Sequence, residues 1–307
     1  MDATIVICTL DRHDGLERAL KSCLDQNRPA GIELEVVIVD NSADANAQDL
    51  VTGHDGGPVP VRYVHEPRTN ISHARNAGVA AASGGLVAFM DDDMTAPPTW
   101  LDEALGCMKR TGADVMIGKV IPEFESESDW VRLLTAPGEW FGRVLSVEDG
   151  GVLDNLRRTG TGNCVLRRQS ALTSPTPFDP AFGRIGGEDT DFLQRAQQAG
   201  AKIVFSHRAW MTEFVPASRS TADYLARRRF RESQQFVRLV VKNRAQVKWL
   251  TAARHMATGA IQLGLAATRY ATARLIGADL GLPRVAMAQA LGKILWIQRH
   301  EPAEPYR

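Results

Sequence analysis

Short apolar runs alternate with helix-spaced apolar residues over the first 118 positions, and this rhythm leaves little choice of fold. Thr4–Thr9, Leu34–Val39, Val61–Val64, Leu86–Met90 and Ala113–Gly118 read as buried strands. After the first, Leu16, Leu20, Cys23 and Leu24 recur at helical spacing. Ser72 is placed to cap a helix carrying Arg75 to Ala82, which Gly84-Gly85 ends, and Pro97-Pro98 opens another through Met108. Strand, helix, strand in this order predicts an α/β fold with a doubly wound, mostly parallel sheet. Such sheets bind ligands beyond the carboxyl ends of their strands. Thr9, Asp40 and Asp91–Asp93 all fall at strand ends.

The rest of the chain is less regular. Residues 119–160 mix Phe124, Trp130, Trp140 and Phe141 with acids and glycines, and read as a loop-rich insertion beside the site. Gly162–Arg167 is expected as a strand, Asp189–Ala199 as a helix, and 202–206 and 209–215 as two short extended runs. From Thr221 the pattern is helical nearly to the end. The expected division is an α/β domain over 1–220, regular to about 118 and less regular beyond it, followed by a helical extension over 221–307. Charge divides at almost the same place. Residues 1–216 carry 20 Lys+Arg against 31 Asp+Glu, a net of −11, and residues 217–307 carry 16 against 5, a net of +11. A basic helical tail suits an anionic phospholipid surface, and equally suits packing against the acidic domain. Its uncharged stretch between Arg254 and Arg269 is 14 residues, short of the roughly 20 that span a bilayer, though interfacial attachment is open to it. The start lacks the pattern of a signal peptide, and the four cysteines form no CxxC pair. The expected location is the cytoplasm, peripheral on the inner face of the membrane if the tail binds lipid; nucleic acid is not an expected partner.

Two clusters carry chemistry. Leu86–Met90 runs straight into Asp91-Asp92-Asp93. Three adjacent carboxylates repel one another, and at the end of a buried strand they favour a hard cation such as Mg²⁺ or Mn²⁺ that bridges a diphosphate. An isolated acidic turn in solvent is the plainer alternative, and the buried strand argues against it. The second cluster is Gly186-Gly187-Glu188-Asp189-Thr190-Asp191 before a helix. Its carboxylates offer a general base; taken alone they serve equally well as helix-capping charge.

In order along the chain stand IVICTLDR at 5–12, VVIVDNS at 36–42, NISHARNAG at 70–78, VAFMDDD at 87–93, TGTGNCVLRR at 159–168 and GGEDTDFLQRAQQAG at 186–200. Over residues 3–240 the chain resembles the family 2 glycosyltransferases of the GT-A fold. The resemblance implies an inverting transfer of one sugar from a UDP- or GDP-sugar to an acceptor hydroxyl, on a lipid-linked or polysaccharide glycan, with Mn²⁺ or Mg²⁺. By position it implies nucleotide-sugar contacts at Thr9, Arg12, Asp40, Arg75, Asp91, Asp92 and Asn163. It implies metal ligands at Asp93 and Asp91, and a catalytic base at Asp189 with Glu188 beside it. Many relatives place a metal-ligating His after a short apolar run; here Glu213 stands there, with His207 a few residues earlier, and Glu213 is preferred. The Gln-x-x-Arg-Trp motif of processive relatives is replaced by Arg227-Arg228-Arg229-Phe230-Arg231, which implies one sugar per encounter.

Other classes fit less well. Asp91-x-Asp93-x-Thr95 has the spacing of a haloacid-dehalogenase-type phosphatase, but that motif follows a first strand and needs a downstream lysine. A sugar nucleotidyltransferase or NAD-linked oxidoreductase needs a glycine-rich loop after the first strand, where this chain has CTLDRHDG. A non-catalytic sugar-nucleotide binder would have no use for the Glu188-Asp189 pair.

Overall fold

The computed structural model describes residues 1–54, 56–126, 131, 134, 140–156, 158–184, 186–242 and 248–298. Trp130 and much of the expected aromatic insertion lie outside the described residues. The elements are β1 (Ala3–Thr9), α1 (His13–Leu24), β2 (Leu34–Asp40), α2 (Gln48–Thr52), β3 (Val61–His65), α3 (Ile71–Ala81), β4 (Leu86–Asp91), β5 (Met94–Thr95), α4 (Trp100–Thr111) and β6 (Val115–Phe124). They continue through β7 (Gly151–Val152), β8 (Cys164–Arg167), α5 (Arg168–Ala171), α6 (Glu188–Gln198) and β9 (Ile203–Val215). Three helices close the chain: α7 (Ala222–Lys242), α8 (Lys248–Leu275) and α9 (Gly281–Ile294).

The strands form one sheet in the order β3-β2-β1-β4-β8-β6-β9-β5. β1 runs parallel to β2 and β4, β2 to β3, and β6 to β9; β8 is antiparallel to both neighbours. Alternation along each strand sends side chains to two cores. Ile5 and Ile7 pack with Leu16, Leu20, Trp100 and Met108 from α1 and α4. Val6, Val37 and Val39 pack with Ala74 and Val79 of α3 and Phe192 and Leu193 of α6. Helices on both faces of a mostly parallel sheet are the doubly wound arrangement. Thr9, Asp40 and Asp91 are the last residues of β1, β2 and β4, so the acidic run leaves the sheet at the carboxyl edge.

Three local expectations change. Asn70, not Ser72, caps α3: its extended backbone lets its side chain accept the Ser72 N–H at 2.9 Å, while the Ser72 hydroxyl donates to the Asp179 carbonyl at 3.0 Å. The two runs 202–206 and 209–215 are one strand, with the break surviving only as a register shift where β9 pairs β6. The fifth expected strand runs on to Phe124, so the start of the presumed insertion belongs to the sheet.

The three C-terminal helices pack together and onto the domain. Lys242 donates to Asp179 and to the fully buried Asp191, both at 2.9 Å. Among the described residues no helix is long and apolar enough to cross a membrane.

Candidate active site

A cavity of about 1220 Å³ opens at the carboxyl edge, between β4, β9, the start of α6 and the C-terminal helices. Four of the expected acids line it: Asp91, Glu188, Asp189 and Glu213. They arrive by different routes. Asp91 ends β4. Glu188 and Asp189 are drawn to the N-terminus of α6, where the helix dipole favours negative charge. Gly187 precedes them at φ +96° and Gly186 at φ +83°, left-handed positions that favour glycine. Glu213 comes from β9, in register with Met94 of β5.

The loop before β8 supplies the floor. A Cβ on Gly162 would overlap the Asp91 carboxylate, and one on Gly160 would come within 2.8 Å of Asp189 Oδ2. The glycines of T-G-T-G are thus the surfaces against which two acids rest.

Arg75 lies behind this group, buried, with its guanidinium donating to Glu188 Oε1 and lying 3.5 Å from Asp91 Oδ1. The other Glu188 oxygen, Oε2, is buried with no hydrogen-bond partner among the described residues. Burial pushes the Glu188 carboxyl up to about 7; the Arg75 charge opposes this and the Asp189 charge adds to it. Asp189 is half-buried, and its Oδ1 accepts the Thr190 N–H at 2.6 Å. Glu213 is also pushed up to about 7, first by burial, then by the Asp93 charge, with Arg228 opposing and Asp91 adding.

A second network adjoins the first. Thr9 Oγ1 donates to Asp92 Oδ2 at 2.8 Å, and Arg12 Nη1 donates to Asp92 Oδ1 at 2.8 Å and Asp93 Oδ2 at 3.1 Å. Arg219 reaches the same Asp93 oxygen at 3.4 Å. Burial lifts Asp92 to about 6 although Arg12 opposes it, and lifts Asp93 by the same cause. Asp93 opens to a smaller cavity of about 360 Å³, lined also by Arg12, His13, Arg18 and Arg219. Asp91 and Asp93 therefore face different cavities.

Two expected contact residues are committed to the framework. Asp40 is fully buried and accepts from the Ser42 and Ala47 N–H groups at 2.9 Å each and from the Tyr63 hydroxyl at 2.8 Å. Burial alone would raise its pKa, but these hydrogen bonds together hold it below the ordinary value. Asn163, at φ +58°, accepts from the Trp100 indole at 2.9 Å and donates to the Lys119 and Ala209 carbonyls at 2.8 and 2.9 Å. His207 turns to the 147–149 loop, its Nε2 2.5 Å from the Val147 carbonyl, whereas Glu213 lines the cavity.

Sequence reasoning missed Arg143. Its guanidinium donates to the Gly162 carbonyl at 2.7 Å and the Gly118 carbonyl at 3.3 Å, and it feels the charges of Asp91, Asp189 and Glu213. Burial pulls its pKa down despite them. It stands in the irregular stretch, where no motif marks it. Arg228 and Arg229 also line the cavity, held by Glu232 at 2.9 and 2.7 Å.

Among the described residues, no three His, Cys, Asp or Glu side chains are gathered closely enough to cage a metal ion. Mg²⁺ commonly takes one or two protein carboxylates and completes its shell with water and phosphate oxygens. Asp91 and Glu213 line the large cavity and Asp93 the smaller one. The charges of Asp91 and Asp93 both bear on Glu213, and that of Asp91 on Asp93. These are the hard oxygens that could supply one or two ligands to an ion completed by diphosphate.

The architecture is that of the GT-A glycosyltransferases. S. aureus TarS 1-349 in complex with UDP superposes with a TM-score of 0.54 at 16% identity, covering 100% of this chain and 93% of that one. The same protein with UDP-GlcNAc gives 0.55 at 15%, covering 97% and 92%. The chain belongs to glycosyl transferase family 2, whose family model matches residues 4–174. It is 37% identical over 241 residues to the succinoglycan biosynthesis protein ExoM of Rhizobium meliloti (strain 1021), spanning 78% of this chain and 75% of that protein. It is 25% identical to the glucosyl-dolichyl phosphate glucuronosyltransferase of Haloferax volcanii, over 75% and 74% of the two lengths. The protein is a glycosyltransferase.

Proposed function

We propose that the protein transfers a single sugar from a UDP- or GDP-sugar to a hydroxyl of a lipid-linked or polysaccharide glycan, with inversion at the anomeric carbon. The observation that supports this best is the meeting of two acid groups from distant parts of the chain, Asp91 with Glu213 and Glu188 with Asp189, on one cavity. Donor binding and proton removal need separate carboxylates. Asp93 and Asp91, with Glu213, are the residues that would hold Mn²⁺ or Mg²⁺, whose charge offsets that building on the departing nucleoside diphosphate.

Asp189 takes the proton of the acceptor hydroxyl as the hydroxyl oxygen bonds to the anomeric carbon, from the face opposite the nucleoside diphosphate whose bond to that carbon breaks. Glu188 and Arg75 hold the neighbouring charge in place, and Arg12, Arg219 and Arg143 add cationic charge around the diphosphate. Thr9, Asp40, Asp92 and Asn163 serve the donor through the shape of the strand ends. The dolichyl phosphate substrate in the name of one relative and the polysaccharide in the name of the other support the acceptor class. A lipid-carried acceptor places the reaction at a membrane surface, with the cytoplasmic face as its setting.

The test is calorimetry of UDP and GDP with and without Mn²⁺. The expected result is metal-dependent binding that Asp93→Ala abolishes. Unchanged affinity in Asp93→Ala would remove the metal assignment.

A further inference from the structure

The large apolar side chains left open to solvent are concentrated at one end of the chain. Nine of the eleven among the described residues lie at or after Trp249. Helix α8 carries the longest row. Leu250, Ile261, Leu265 and Leu275 are 60–87% exposed, and at roughly 100° per residue they fall within an arc of about 80°.

Two other strips of α8 are occupied. Ala252, Gly259 and Ala266, seven residues apart, are buried. Gly259 sits so close to α9 that a Cβ there would come within 2.9 Å of the Ala290 carbonyl. Arg254, His255, Thr258 and Gln262 line the large cavity. The helix thus has one side on the bundle, one on the catalytic cavity, and an open apolar strip next to the cavity side.

The charge of α8 says what suits that strip. Lys248, Arg254, Arg269 and Arg274 are exposed, and the helix contains no Asp or Glu. At the same spacing Arg254 falls inside that arc and Arg269 about 40° beyond its edge, while Lys248 and Arg274 lie towards the far side of the helix. Apolar side chains whose charged neighbours are cations complement an anionic phospholipid surface, where the strip sinks to the acyl boundary and the cations meet phosphate. A second copy pairing symmetrically along the same strip would set cation against cation with no acid between them.

We propose that α8 docks on an anionic bilayer through Leu250, Ile261, Leu265 and Leu275, holding the mouth of the catalytic cavity at the headgroup level. This deepens the reading of a lipid-carried acceptor and rests on it for the purpose of the contact. One helix then does two things: its open strip anchors the protein, and its adjacent strip lines the cavity that receives the acceptor.

The test is co-sedimentation of the full chain with phosphatidylcholine vesicles, with and without phosphatidylglycerol, at low and high salt. Calorimetry of UDP and GDP with Mn²⁺ is run on the same preparations. The expected result is binding to the anionic vesicles at low salt, weakened by salt, and reduced by about tenfold or more in the double variant Ile261→Asp with Leu265→Asp. Both positions are exposed, so the variant should keep the wild-type melting temperature and nucleotide affinity. Wild-type protein that stays in the supernatant with anionic vesicles overturns the proposal, as does a double variant that binds them equally well. A wild-type dimer that ignores vesicles and becomes monomeric in the variant assigns the strip to a second copy instead. Vesicle binding without nucleotide binding would overturn the donor-site reading and leave the docking face standing.

Discussion

The Glu188 carboxyl places one oxygen on the Arg75 guanidinium and buries the other with no partner among the described residues, next to Asp189 at the start of α6. Two adjacent acids here have unequal surroundings, and the less buried one, Asp189, is the one proposed to meet an acceptor. Glu213 gives a second reading of the same electrostatics. Its carboxyl is raised from an ordinary 4.5 to about 7, so the folded state holds the proton more tightly than the unfolded state. That stabilisation is complete below about 4.5 and is lost as pH rises through about 7. The lowered carboxylates, Asp40 and Glu66 among them, titrate below this window. With a chelator present, the melting temperature should fall between about pH 4.5 and 7, a window shared by Glu188 at about 7 and Asp92 at about 6, and Glu213→Gln should lessen the fall without removing it. Mn²⁺ should stabilise more at the higher pH, because proton and cation compete for the same oxygens. Scanning fluorimetry reads all three, and a melting temperature that rises across the window would contradict the assignment. The sequence singled out Asp91, Glu188 and Asp189 by their acidic runs and Glu213 through the family resemblance, and the structure brings all four to one cavity. Arg143 was not legible, since it acts only once the chain between β6 and β8 has folded back onto Gly162. Nor was the occupation of Asp40 and Asn163 by Tyr63 and Trp100, partners 23 and 63 residues away.

At the scale of elements, the apolar alternation of β1, β2 and β4 was enough to place the sheet, because a buried strand has no other way to satisfy both faces. The β8 strand was visible as an apolar run, but its antiparallel insertion between β4 and β6 was not, since pairing depends on where the chain returns. Ser72 lost the cap to Asn70 because both residue types cap helices and only the incoming backbone decides between them. Gly78 shows how closely α3 lies on the sheet: a Cβ there would overlap the Val6 side chain and approach Val39 to 3.3 Å. Gly78→Ala should therefore destabilise the protein by about 1–3 kcal/mol, the usual cost of overpacking. Because α3 carries Arg75, nucleotide affinity should weaken with it. Denaturant melts of the variant measure the first effect, and an unchanged midpoint would mean that α3 shifts freely.

Over the whole molecule, the split of charge noted in the sequence has two outlets. Part is internal: Lys242 ties α7 to Asp179 and Asp191, and its ammonium lies 4.5 Å from the centre of the Phe182 ring. Lys242→Ala leaves Asp191 with Arg195 at 2.8 Å, so the expected loss is about 1–2 kcal/mol. Hydrogen exchange should show it as faster opening of α7 before the sheet; uniform exchange would mean that the tie is incidental. Four other cations of the tail, Lys248, Arg254, Arg269 and Arg274, are exposed on α8. Of the two sequence expectations for the tail, packing against the acidic domain is seen in the Lys242 contacts; lipid contact is the proposal that vesicle co-sedimentation tests. The central claim is that donor binding and proton removal are carried by different acids, Asp91, Asp93 and Glu213 for the donor's metal and Asp189 for the proton, and the most direct measurement is Asp189→Asn. Donor binding, by calorimetry with Mn²⁺, should survive, while metal-dependent turnover of a panel of UDP- and GDP-sugars falls by roughly 10²–10⁴, the range for a lost general base. Turnover near wild type in Asp189→Asn, with Glu188→Gln the more damaging change, would reverse the two roles; loss of donor binding in both would contradict the division of labour itself.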